Sequence, residues 1–109
     1  MANKIYVYAE DPRSIPRVGP VPVQYWFHCP GCACDHVFLV GPLASGFGNA
    51  RWNFNGDLER PTFKPSLLCD KDRPASRCHS IVTNGKIQFQ DDCWHSLKRQ
   101  TVELPDWES

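Results

Sequence analysis

Val23-Gln24-Tyr25-Trp26-Phe27-His28-Cys29-Pro30-Gly31-Cys32-Ala33-Cys34-Asp35-His36-Val37-Phe38-Leu39-Val40 reads as strand, turn, strand. Its β-branched and aromatic residues suit a pleated surface, and Cys29-Pro30-Gly31-Cys32 reverses the chain between the two runs. A Cys-x-x-Cys turn between strands is the outline of a zinc knuckle, so this stretch predicts a small, mostly β domain built around a metal.

A second signal lies downstream. His79-Ser80-Ile81-Val82-Thr83, then Asn84-Gly85, then Lys86-Ile87-Gln88-Phe89-Gln90 predicts a hairpin closed by a type I′ turn, since both turn residues tolerate positive φ. Cys78 precedes its first strand and Cys93 follows its second, so pairing the strands brings the two sulfurs close. Pro61-Thr62-Phe63-Lys64-Pro65-Ser66-Leu67-Leu68 is apolar but twice interrupted by proline, which suits an edge strand or bulge. Asp92 to Arg99 is read as one short C-terminal helix capped by Asp91 or Asp92. Thr101 to Leu104 is read as a closing strand before Pro105. The expected fold is therefore a zinc-stapled antiparallel β domain over residues 23–109. Residues 1–22 precede it as a short strand, Ile5 to Tyr8, and a proline-rich arm from Asp11 to Pro22 in which no helix can run.

Six cysteines in 109 residues would suit either three disulfides or a metal. The opening residues Met1 to Tyr8 contain no apolar stretch of the kind that directs export, which points to a reducing, cytoplasmic setting and favours metal. Structural zinc takes four tetrahedral sulfur or nitrogen ligands, commonly two from a knuckle and two from a distant hairpin. Cys29 and Cys32 supply the first pair, and Cys78 and Cys93 are the expected second. All four histidines neighbour cysteines, and His36, His79 and His95 remain alternative ligands. Such a Zn2+ would be a structural staple, its binding free energy becoming folding free energy.

Charge and hydropathy exclude other classes. Twelve basic and twelve acidic residues leave no net field to condense on a phosphate backbone, so nucleic acid is an unfavoured partner. No apolar run approaches the ~20 residues that span a bilayer. Four tryptophans, three tyrosines and six phenylalanines could anchor a protein partner, with Trp107 the expected exposed one.

Taken as a set, Cys29-Pro30-Gly31-Cys32 with His36, Trp52-Asn53-Phe54-Asn55-Gly56, Arg60 to Ser66, Cys78-His79-Ser80, Gly85 to Phe89, Asp92-Cys93-Trp94-His95 and Gln100 to Pro105 resemble a small phage and prophage family of unassigned function. Its members are often labelled "ammonia monooxygenase", for which these residues give no support. A more remote branch of the family accompanies bacterial ubiquitin-like conjugation genes and has an implied peptidase role. It shares the knuckle, a Pro-Ser dipeptide matched here by Pro65-Ser66, and a histidine six residues before a glycine, matched by His79 and Gly85. One departure is that the branch places its cysteine three residues before the histidine, whereas Cys78 immediately precedes His79.

The resemblance implies a small zinc-binding peptidase or hydrolase, acting on a ubiquitin-like protein substrate in the cytoplasm of an infected or lysogenic bacterium. Ser66 would be its nucleophile and His79 its base. A serine hydroxyl needs an imidazole within about 3 Å and a third group to orient that imidazole, for which Asp92 or His95 is available. Ser80 is a further hydroxyl, although adjacent strand residues face opposite ways. A metal-dependent hydrolase built on His36, His79 and His95 lacks a ligand-spacing signature and a nearby glutamate base. The non-enzymatic alternative is a phage interaction module that binds or inhibits a host protein.

Overall fold

A computed structural model of the chain describes residues 3–9, 20–70 and 72–107. Most of the proline-rich arm, residues 11–19, lies outside the described residues. Among the described residues nine strands form three antiparallel sheets: β1 (Tyr6–Tyr8), β2 (Val23–Cys29) and β3 (Cys34–Val40) make the first; β4 (Asn53–Phe54) and β5 (Phe63–Lys64) the second; β6 (Leu67–Cys69), β7 (Cys78–Thr83), β8 (Lys86–Phe89) and β9 (Thr101–Glu103) the third. Strands within each sheet lie in sequence order, as short connections favour.

The knuckle hairpin forms as the sequence predicts, with Cys29 opposite Cys34 at the end of the β2–β3 ladder. Ala33 N–H donates to Cys29 C=O at 2.9 Å and closes the turn. At the β7–β8 hairpin Asn84 and Gly85 take φ of 52° and 79°, the paired left-handed conformations of a type I′ turn. The prolines at 61 and 65 break the intervening segment into β5, which pairs with β4, and β6, which takes the edge beside β7.

Phenylalanines join the sheets. Phe38 and Phe63 stack nearly parallel at 4.0 Å between ring centroids, with Phe27 against Phe38 and Phe54 against Phe63. Burial alternates along β7: Cys78, Ser80 and Val82 face inward, while His79 and Ile81 are half-buried on the other face. Two neighbouring residues, Cys78 and His79, are thereby sent to opposite sides of one sheet.

The expected helix over residues 92–99 does not form, and no helix occurs among the described residues. The chain makes i to i+3 turns instead, with Lys98 N–H on His95 C=O at 3.2 Å and Gln100 N–H on Leu97 C=O at 3.0 Å. Arg99 N–H, which a helix would bond to His95 C=O, donates instead to Phe89 C=O at 2.9 Å, and Trp94 N–H donates to Arg77 C=O at 3.0 Å, just before β7. Arg99, at φ 68°, then redirects the chain into β9. Tertiary hydrogen bonds here outweigh helix propensity. The exposed tryptophan also differs from expectation: Trp107 is half-buried and stacks on Tyr6 at 5.5 Å, whereas Trp94 is the one left largely in solvent.

Candidate functional site

Two groups of reactive side chains sit on the two faces of β7. On the outer face, Ser66 stands between β5 and β6, where the second proline ends one pairing and the next begins. Its carbonyl accepts the Trp52 indole N–H at 3.2 Å, which fixes the backbone at the hydroxyl. Ser66 Oγ lies 3.0 Å from His79 Nε2, and His79 Nδ1 lies 3.3 Å from Asp92 Oδ1. With the ring neutral and protonated on Nδ1, the hydroxyl donates to Nε2 and Nδ1–H donates to the carboxylate. That is the order of contacts an activated serine needs.

The His79 backbone is clamped by a residue that sequence reasoning assigned elsewhere. Cys93 Sγ accepts His79 N–H at 3.3 Å, and its thiol donates to His79 C=O at 3.1 Å. Because Asp92 directly precedes Cys93, the clamp also ties the Asp92 carboxylate to the strand that carries His79. Burial pushes the Cys93 thiol up, keeping it protonated and able to donate. Ser80 is fully buried on the inner face, and its hydroxyl has no partner among the described residues.

On the inner face, ligand atoms of Cys29, Cys32, Cys78 and His95 all lie within 4.8 Å of one another. Cys78 Sγ is 4.0 Å from Cys29 Sγ and 3.6 Å from His95 Nε2. Sulfurs tetrahedrally arranged about zinc stand about 3.8 Å apart, so the donor spacing fits such an ion. Three of these four match the expected ligand set, and His95 occupies the place expected of Cys93. His95, the other candidate orienter for His79, is thus grouped with the cysteines while Asp92 contacts the His79 ring.

The surroundings favour thiolate at Cys29. The hydrogen bond from Cys78 holds the Cys29 thiol down at about 3 against the opposing effect of burial, while the same bond pushes Cys78 up. Cys32 N–H donates to Cys29 Sγ and the Trp94 indole to Cys32 Sγ, each at 3.4 Å. Burial lowers the pKa of His95, which keeps the ring neutral as a ligand must be. None of the six cysteines is in a disulfide. The cluster can hold a metal ion. A second set, Cys32, Cys34 and His36, adjoins it, and His36 Nδ1 lies 3.6 Å from Cys69 Sγ.

Gly31 makes room for the cluster: a Cβ there would lie 2.2 Å from the His95 ring. Gly31→Ala is therefore expected to displace the imidazole and weaken metal binding about 10- to 100-fold, measured by competition with a chromophoric chelator. Unchanged affinity would show that His95 is not a ligand.

The sequence signals for Trp52 and Cys93 were weak, because neither a carbonyl-holding indole nor a backbone-clamping thiol has a spacing rule. Glycine between the knuckle cysteines was visible, but not the ring it accommodates.

A family model described as bacterial ubiquitination-like system serine protease (BubE) matches residues 5–90. The match takes in Ser66, His79, Cys29, Cys32 and Cys78 and stops short of Asp92, Cys93 and His95. No curated protein and no solved structure matches the chain.

Proposed function

The chain belongs to the bacterial ubiquitination-like system serine protease (BubE) family, and from that premise we propose that it is a serine peptidase in which Ser66 is the nucleophile, His79 the general base and Asp92 the orienting carboxylate. The observation that carries this reading is the unbroken run of contacts from Ser66 Oγ through the His79 ring to Asp92. Ser66 Oγ attacks the substrate carbonyl while its proton passes to His79 Nε2. The C–N bond then breaks, the amine departs with that proton, and an acyl group remains on Ser66. Water, deprotonated by His79, releases the acid and regenerates the hydroxyl. Asp92 stabilises the imidazolium that forms in each half of the cycle. The substrate class is a protein, with a ubiquitin-like conjugate as the expected member.

In this reading Cys29, Cys32, Cys78 and His95 hold a structural zinc that joins the knuckle to β7 and to the turn after β8. The donor chemistry and spacing support zinc, and four protein ligands leave it no open position for water. The ion would hold the scaffold. The proton transfers belong to Ser66, His79 and Asp92.

Hydrolysis of p-nitrophenyl acetate tests the nucleophile. The parent chain should release a burst of p-nitrophenol stoichiometric with protein and then turn over slowly, and Ser66→Ala should abolish the burst. Equal hydrolysis by both proteins would overturn the assignment and favour a non-enzymatic interaction module.

A further inference from the structure

β6 forms one edge of the four-stranded sheet and pairs only with β7 among the described residues. Leu68 stands directly opposite His79. In an antiparallel ladder the N–H and C=O of one residue point to the same side. Those of His79 both point away from β6: its C=O accepts Gln90 N–H at 2.9 Å, and its N–H donates to Cys93 Sγ. Leu68 and His79 therefore form a non-hydrogen-bonded pair, and the N–H and C=O of Leu68 face outward from the free edge. Ser66, two residues earlier, has the same orientation, and its outward carbonyl is already taken by Trp52. Beyond Leu68, the carbonyl of Asp70 accepts Arg73 N–H. Among the described residues the Leu68 N–H and C=O have no partner, and its exposed side chain lies on the His79 face.

Resting on the peptidase reading, we propose that the substrate is an extended polypeptide segment that adds to the β6 edge as a further strand, held by paired main-chain hydrogen bonds to Leu68. An extended backbone offers the complementary acceptor and donor at one residue. Ser66 and Leu68 are two residues apart, about 6.6 Å along the strand, so the carbonyl presented to Ser66 belongs to a residue about two positions from the one paired with Leu68. The main chain of the substrate supplies the affinity, and the exposed Leu68 side chain offers an apolar contact to a neighbouring substrate residue. Single amino acids and folded surfaces without an extended segment would lack this grip.

Diphenyl alanylphosphonate probes carrying no, one or three additional alanines test the idea. Each phosphonylates a reactive serine, forming the Oγ–P bond and expelling phenoxide. The rate of Ser66 labelling, followed by intact mass, should rise about tenfold or more from the shortest to the longest probe, the effect of one or two added hydrogen bonds. N-methylation of the single amide that meets Leu68 should erase the gain. Leu68→Pro removes the outward N–H at an edge position that accepts proline; the rise in rate from the shortest to the longest probe should disappear in it. Equal rates for all lengths on the parent chain, or a length dependence that survives N-methylation at every amide in turn, would overturn strand addition and leave the nucleophile assignment standing. No labelling of Ser66 by any probe would overturn both.

Discussion

Cys78→Ser protein is expected to purify without stoichiometric zinc and to melt at a far lower temperature than the parent chain. Cys78 is buried, and its sulfur stands between the knuckle sulfur of Cys29 and the ring of His95. Those three residues come from β2, β7 and the turn after β8, so an ion held by all three would close two loops at once. Structural zinc binding contributes about 10–16 kcal/mol in small domains. Whole domains are stable by about 5–15 kcal/mol. A chain of 109 residues that loses such an ion has little margin left. Cys34→Ser supplies the contrast, because Cys34 is exposed and outside the four-donor group. It should keep its metal and its melting temperature. Cys93→Ser should also keep the metal, since that thiol is engaged with the His79 backbone. Metal content by plasma mass spectrometry beside calorimetric melting reads all three. A Cys78→Ser protein with a full equivalent of zinc and unchanged melting would remove Cys78 from the ligand set.

The second large effect is on the reaction. His79→Ala is expected to lower kcat/KM by about 10⁴-fold, because nothing then takes the proton from Ser66. Asp92→Asn should cost less, about 10²-fold. The Asp92 side chain is 37% exposed and its contact with Nδ1 is 3.3 Å, so water can take over part of its role. Both variants leave the inner face of β7 untouched and should retain zinc and melt like the parent. That pairing of lost activity with kept metal separates the two faces of the strand. A His79→Ala protein that loses its metal would place the imidazole in the cluster after all.

The knuckle and the Asn84-Gly85 hairpin were legible in the sequence because each rests on local chemistry: a turn that only certain residues can make, flanked by runs that alternate. The prolines at 61 and 65 likewise marked where the edge strand would break, and Ser66 sits at that break. The geometry among Ser66, His79 and Asp92 was not readable from spacing, since it depends on β6 and β7 pairing in one register and on a turn folding back beneath them. That His95 rather than Cys93 stands beside the knuckle cysteines was unreadable for a related reason. The two residues lie on one short turn, and which of them faces the knuckle is decided by the hydrogen bonds of Trp94 and Arg99 to the sheet. The Arg99 bond also takes a donor that the predicted helix would use, so tertiary hydrogen bonding bears on both differences. The alternation along β7 resolves what adjacency left open for Cys78 and His79: neighbours in sequence serve opposite faces.

The most direct test is mass-spectrometric mapping of the adduct formed with a small alkyl fluorophosphonate on metal-loaded protein. A single adduct on Ser66 is expected, lost in His79→Ala and kept in Cys34→Ser. An unmodified Ser66, or an adduct on another residue such as Ser80, would contradict a serine nucleophile activated by His79 and Asp92.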